Sequence, residues 1–290
     1  MSQRVGGGRL AIIAGSGKLP LYAAQAARDK GEHPFIFALK GESSADWAGF
    51  DHLSIGLGEI ALFKKQASDL GIDRIVLSGA VSRRPPLREV RLGLSGLLKI
   101  PSIIRTLAGG GDNMLLTAVI ELLENDKRKV ISVQDVVPSL LAELGAIGKV
   151  DPDAASQRDI AMAVEAARLI GRLDIGQGAI AVGGRVVALE GPEGTDAMLK
   201  RVAELKQAER VSSKRRGVLV KLCKQQQDLR VDLPSAGLET IRNAQAAGLA
   251  GVALEAGRSL LLDASDVKAF ADSNDMFVIG IDPDAVGAAQ

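Results

Sequence analysis

Short apolar runs alternate with longer amphipathic stretches through the first half of the chain. Leu10 to Ala14 has the length and composition of a buried strand, and the turn G-S-G-K-L-P leads from it into a helical stretch, Leu21 to Lys30, that Gly31 ends. Pro34 to Ala38 and His52 to Ile55 read as further strands. Glu59 to Leu70 reads as a helix stopped by Gly71, and Arg74 to Ser78 as another apolar strand. Asn113 to Asn125 is amphipathic behind Asp112, and a short strand is expected near Val130. Strands that alternate with helices predict a parallel sheet with helices on both faces.

The pattern changes between Gly145 and Pro152, a polar connector containing Gly and Pro. This predicts two domains, residues 1–148 and 149–290. The second opens with a long amphipathic helix, Ala154 to Leu173, whose apolar positions include Ile160, Val164, Ala167 and Ile170. Gln177 to Val182 and Arg185 to Glu190 then flank Gly183-Gly184, a two-residue hairpin signal. A helix from about Thr195 to Glu209, a strand over Gly217 to Leu222 and further alternation to Ile281 complete the chain. The expected fold class is α/β, with a Rossmann-like parallel sheet first and a mixed α/β domain second.

Composition narrows the function classes. Hydrophobic residues at 47% and charged residues at 24% describe a globular protein, and a net charge of +1 gives no pull toward nucleic acid. Aromatic residues at 3% leave little with which to stack bases. The one cysteine, Cys223, excludes an internal disulfide, fits a reducing cytoplasm and lies in an apolar run as a buried thiol. With only His33 and His52 present, a His-rich zinc site is excluded, and both histidines read as strand-edge residues. Chemistry is left to carboxylates, lysine and arginine. The chain lacks an uninterrupted run of about 18 apolar residues, and its N-terminus lacks the apolar stretch of a secretory signal.

Several loops combine glycine with charge. Gly15, Ser16 and Gly17 join the first strand to the first helix, where backbone N–H groups approach anions. Pro20 replaces the third glycine of a dinucleotide fingerprint, so a tight turn without ligand is an equal alternative. Gly79 to Pro86 follows the end of a strand, and Arg83 or Arg84 there offers a bidentate clamp for a diphosphate. Gly109 to Gly111 run into Asp112, a helix cap or a ligand contact. Leu92 to Leu107 is apolar but carries Lys99 and Arg105, which suits acyl chains, an anionic membrane or a core helix kinked at Pro101. Glu190, Thr195 and Asp196 lie between a strand and a helix, as capping groups or as contacts to a metal or a polar substrate.

The densest chemistry lies in Lys221 to Thr240, K-L-C-K-Q-Q-Q-D-L-R-V-D-L-P-S-A-G-L-E-T. Lys221, Lys224 and Arg230 can neutralise phosphate, and Asp228 and Asp232 can hold Mg²⁺. Pro234 and Gly237 break the backbone beyond them. An extended course would put Asp228, Arg230 and Asp232 on one face, where Arg230 between two acids is also an ordinary ion pair. Gln227, Gly237 and Thr240 join the substrate-binding candidates of this segment.

Six stretches resemble the LpxI family, the UDP-2,3-diacylglucosamine pyrophosphatases of lipid A synthesis. They are I-A-G-S-G-K-L-P at 13–20, G-A-V-S-R-R-P at 79–85, G-G-D-N at 110–113, I-G-R-L-D-I-G-Q-G-A at 170–179, E-G-T-D-A-M-L-K-R at 193–201 and Q-D-L-R-V-D-L-P-S-A-G at 227–237. The resemblance implies a two-domain enzyme that hydrolyses its substrate with Mg²⁺ to UMP and 2,3-diacylglucosamine 1-phosphate. It implies attack at the sugar-side phosphorus, with Asp232, in the family's R-x-D-x-P motif, as the key acid and Asp228 in support. Asp196 and Glu190 are the further metal candidates. Gly15 to Gly17, Gly79, Arg84, Gly111, Asp112 and Thr195 are candidates for the nucleotide, phosphate or sugar. Gln225 stands where the family usually has proline. The implied location is the cytoplasm, with transient contact at the inner-membrane surface. Oligomeric state stays open, a homodimer included. The alternatives are an enzyme for another UDP-sugar and a non-catalytic nucleotide-sugar binder.

Geometry separates the two acids. On a straight strand Asp228 and Asp232 would stand about 13 Å apart at roughly 3.3 Å per residue. Mg²⁺ takes oxygen ligands at about 2.1 Å, so either the chain curls before Pro234 or the acids do different work.

Overall fold

A computed structural model describes residues 8–82, 112–225, 228–231 and 233–286. The described chain divides into two compact units, one containing residues 8–82, 112–138 and 228–231, the other residues 139–225 and 233–286. The first division thus falls at Pro138/Ser139, earlier than the expected 148/149. The reason is Gly145–Ala146, read from sequence as connector, which forms a strand of the second unit's sheet.

The first unit follows the apolar runs. Its strands are β1 (Arg9–Ala14), β2 (Phe35–Leu39), β3 (Asp51–Ile55), β4 (Ile72–Ser78) and β5 (Lys129–Ile131). They lie in the order β3-β2-β1-β4-β5, every neighbouring pair parallel. That is the order of doubly wound sheets, whose ligand crevice opens at the carboxyl ends of the central strands where the order reverses, here β1 and β4. Helix α1 (Leu19–Asp29) has Pro20 in its first turn, where a missing N–H costs no bond, and buries Ala23, Ala24 and Ala27. Helices α2 (Ile60–Asp69) and α3 (Asp112–Leu123) add Phe63, Ile120 and Leu123 to a core with Phe37 and Ile75. A short α4 (Val133–Val136) packs with α1 and is closed by a reciprocal Ser132–Asp135 capping box.

The second unit holds a mixed sheet in the order β6-β13-β11-β9-β7-β8. Its members are β6 (Gly145–Ala146), β7 (Gly178–Ala181), β8 (Val186–Leu189), β9 (Gly217–Lys221), β11 (Leu249–Glu255) and β13 (Phe277–Ile281). β9, β11 and β13 are parallel, and β7 runs antiparallel to both β8 and β9. The expected turn closes β7 onto β8: Gly183 and Gly184 have φ of 64° and 80°, values that glycine adopts without strain. Helix α5 (Ala154–Arg172) is capped by Asp153, which accepts from the Ser156 N–H.

The period of two along the strands sorts the core into two layers. Ala179, Ala181, Val218 and Val220 pack with Ile160, Ala163 and Val164 of α5. Ile180 and Leu219 point the other way, toward Met198, Ile241 and Val267 of α6 (Gly194–Gln207), α7 (Leu238–Ala246) and α8 (Ala264–Ser273). A separate parallel pair joins β10 (Ser235–Ala236), just before α7, to β12 (Leu260–Leu261), after β11. Both parts of the expected α/β class are therefore present. No helix among the described residues is long and apolar enough to cross a membrane.

Candidate functional site

The acid/base segment is shared between the two units. Lys221 and Lys224 belong to the second, and residues 228–231 to the first. Asp232 and Gln227 lie outside the described residues, as do Arg84, Gly111 and the whole Leu92–Leu107 stretch. Asp112 is described as the first residue of α3, its side chain excepted.

Of the two courses left open for this segment, extended or curled, residues 228–231 take the curled one. The Val231 N–H donates to the Asp228 carbonyl at 3.1 Å, which closes a turn. The Asp228 side chain helps to make it, because Oδ1 accepts from the Arg230 backbone N–H at 3.0 Å. Arg230 folds back onto the same carboxylate, donating from Nε at 2.9 Å and from Nη2 at 2.6 Å, and its Nη1 donates to Glu124 at 3.2 Å. Gln134 donates to the Leu229 carbonyl, and Val231 packs on the first unit's core. The hydrogen bond from Arg230 holds the Asp228 carboxyl below its ordinary range, against a smaller opposing effect of burial, and Asp228 raises Arg230 in return. Asp228 is thus an ionised brace for the turn. Arg230 keeps 41% of its side chain exposed, which leaves a fixed guanidinium facing solvent.

In the second unit the two lysines are held by different means. Lys221, at the buried end of β9, donates to the Ser235 carbonyl at 2.8 Å. Lys224 pairs with Asp174 at 2.8 Å. Asp174 has a φ of 54° just past the end of α5, a left-handed position that Asp tolerates better than most residues.

The remaining acids take internal roles. Glu190 is buried and accepts from the Thr195 hydroxyl at 2.6 Å and the Gln177 N–H at 3.2 Å, so it ties the end of β8 to the start of α6. Asp196 is exposed and accepts from Asn243 at 3.0 Å. Gly237 caps α7, and its N–H reaches the Thr240 hydroxyl at 3.5 Å. Among the described residues no group of three or more His, Cys, Asp or Glu side chains is placed to hold a metal ion. Mg²⁺ in phosphate sites is commonly held by one or two carboxylates together with substrate phosphates, so it does not require such a group.

The glycine loops of the first unit meet each other. A Cβ on Gly15 would collide with the Ala80 carbonyl oxygen, and one on Gly79 with that of Ser16. Ser16 N–H donates to Ala80 O at 2.8 Å, Ala80 N–H returns to Ser16 O at 3.1 Å, and the Gly15 N–H donates to Ser78 O at 2.8 Å. The first two amides expected to face an anion are therefore bonded to the end of β4 and the loop that follows it. Gly17, with a φ of 88° and open space where a Cβ would stand, remains on the outside of this junction. The Ser78 hydroxyl is buried with no hydrogen-bond partner among the described residues.

Sequence reasoning missed Glu124, Asp174 and Glu42. Glu42 is buried after β2 and accepts from both the N–H and the hydroxyl of Ser82, at 2.9 and 3.0 Å. Only Asp174 had a usable signal, its place in the conspicuous stretch 170–179. His33 and His52 are exposed at strand ends, and Cys223 is a buried thiol, as their contexts suggested.

Comparison with known proteins covers both units. Residues 9–140 match the model of the LpxI N-terminal domain, and residues 143–279 match that of the LpxI C-terminal domain. A curated protein of Caulobacter vibrioides, UDP-2,3-diacylglucosamine pyrophosphatase LpxI, is 39% identical over 276 residues, covering 95% of this chain and 98% of the relative.

Proposed function

The chain belongs to the LpxI family, and from that membership we propose that it hydrolyses the diphosphate of UDP-2,3-diacylglucosamine in lipid A synthesis. The observation that carries the proposal is the collinear match over nearly the full length of both chains. The turn at 228–231 supports it, since it fixes a guanidinium where sequence reasoning placed the diphosphate.

The products are UMP and 2,3-diacylglucosamine 1-phosphate. Water attacks the sugar-side phosphorus, its oxygen forms the new P–O bond, and the bridging bond breaks with UMP leaving. Asp232, with Asp196 as the further candidate, would hold Mg²⁺, which would supply polarisation of a phosphoryl oxygen. Arg230 offers phosphate the remaining N–H groups of Nη1 and Nη2, from a side chain that Asp228 and Glu124 have already oriented, so little ordering remains for the moment of reaction. Lys224 adds positive charge from its place beside Asp174. Lys221 acts through the backbone, holding the chain at Ser235. Glu190 and Thr195 keep Asp196 in place at the start of α6. Such an enzyme works in the cytoplasm, peripheral to the inner-membrane face where its lipid substrate resides.

The test is UMP release from UDP-2,3-diacylglucosamine and from UDP-N-acetylglucosamine, with and without Mg²⁺. The proposal expects turnover of the diacylated substrate alone, dependent on Mg²⁺. Equal rates on both substrates would reject the lipid assignment, and tight binding without UMP release would make the protein a binder. In H₂¹⁸O, label in UMP instead of the lipid phosphate would overturn attack at the sugar-side phosphorus.

A further inference from the structure

The chain leaves the second unit's sheet at the end of β9 and rejoins its secondary structure at β10. Between them lies the acid/base segment, so the residues that fix these two points fix the base of the segment. Its return is held by Lys221, whose ammonium donates to the Ser235 carbonyl.

Its departure is held by an acid that no sequence argument singled out. β9 and β11 are parallel, and the last residue pair in their register is Lys221 with Leu254. Beyond it the Leu222 N–H donates to the Gln177 carbonyl, on the β7 side. Successive N–H groups of an extended chain point in opposite directions, so the Cys223 N–H faces β11. Among the described residues the backbone offers it no rung. Instead it donates to the carboxylate of Glu255, at 2.8 Å from Oε2. Glu255 is only 6% exposed, and Arg258, in the turn that follows β11, donates to its other oxygen at 3.3 Å. A buried N–H left without this acceptor would have to find another course, and Lys224 is the next residue.

We propose that Glu255 is a positioning residue for the hydrolytic reaction: its carboxylate replaces the next rung of the β9–β11 ladder and sets where the chain turns off the sheet toward Lys224 and the acid/base segment. This rests on the reading of that segment as the reactive one. Glu255 touches no reacting atom. It acts through the backbone of Cys223, as Asp174 acts on Lys224 from the side-chain end.

The chain carries its own probe of this corner, because Cys223 is its single cysteine and is buried. The experiment compares wild type, Glu255→Ala and Glu255→Gln in the full-length protein. It measures kcat and KM for UDP-2,3-diacylglucosamine, the labelling rate of Cys223 by a thiol reagent under native conditions, and Tm. Glu255→Ala is expected to raise Cys223 labelling at least about tenfold, through local opening. It should lower kcat about 10²-fold with KM within roughly threefold, as misplacement of reacting groups does. Glu255→Gln keeps an acceptor oxygen for the Cys223 N–H and should recover most of both losses.

Unchanged labelling in Glu255→Ala would overturn the pin whatever the enzyme's substrate. Raised labelling with wild-type kcat would overturn the positioning role. If Glu255→Gln were as impaired as Glu255→Ala, with Tm falling alike in both, Glu255 would be a stability residue only. A wild-type protein that releases no UMP would reject the functional reading, while the labelling result would still decide whether Glu255 holds the corner.

Discussion

Two regions are candidates for phosphate by sequence, the glycine junction at the ends of β1 and β4 and the charged segment after β9, and the structure treats them differently. At the junction Gly15 and Gly79 lack side chains so that two loops can approach each other, and the first amides are bonded across the gap. In the charged segment a turn folds Asp228 onto Arg230, and the guanidinium stays partly exposed. A glycine-rich loop at a helix start is thus compatible with a ligand but equally with a neighbouring backbone. An arginine oriented by two acids and still open to solvent is harder to account for by packing alone. Surface ion pairs contribute little stability, and on the proposed reading this one serves to hold donors still.

Substitutions on each side sharpen the contrast. Arg230→Ala removes oriented charge from the reaction and should lower kcat/KM about 10²-fold or more, with Arg230→Lys recovering little because a point charge does not replace paired N–H donors. An Arg230→Lys enzyme near wild-type activity would show that only charge matters there. Gly15→Ala should act on folding, since the new methyl group meets backbone. A cost of roughly 1–3 kcal/mol is expected, seen as a Tm lower by about 5 °C. If Gly15→Ala kept its Tm but lost substrate affinity, the junction would be a ligand site after all.

Asp174→Asn should be milder, about a tenfold loss in kcat/KM, because Lys224 keeps its charge but loses an ionised partner. The smallest effect concerns pH. The Asp228 carboxyl is depressed in the fold relative to its ordinary value near 3.8, so its contribution to stability is full above that value and is lost as pH falls through the lower folded one. Asp228→Asn should therefore flatten the acid end of the unfolding profile and leave the neutral region little changed in slope. An unaltered acid limb would remove Asp228 from the account of the turn.

The strands and long helices were legible because each buries one face, and periods of two and 3.6 report that directly. Gly183-Gly184 was legible because a two-residue hairpin demands positive φ. The short pieces were not: β6, β10 and β12 have two residues each, too few to show a period. Gly145–Ala146 was consequently read as linker, which moved the expected boundary late. In the charged segment the residue types were legible and their geometry was not. Alternating Asp228, Arg230 and Asp232 suggests an extended chain, but local hydrogen bonding by the Asp228 side chain made a turn more favourable. The partners Glu124, Asp174 and Glu255 lie far along the chain from Arg230, Lys224 and Cys223, and no local pattern announces a contact made by the fold.

The most direct test places wild type beside Asp232→Ala, with Mg²⁺ and UDP-2,3-diacylglucosamine saturating and UMP release as the readout. The account predicts that the variant folds with an unchanged Tm and loses activity by about 10²-fold or more. Full activity in a folded Asp232→Ala protein would contradict it and move the chemistry out of the segment after β9.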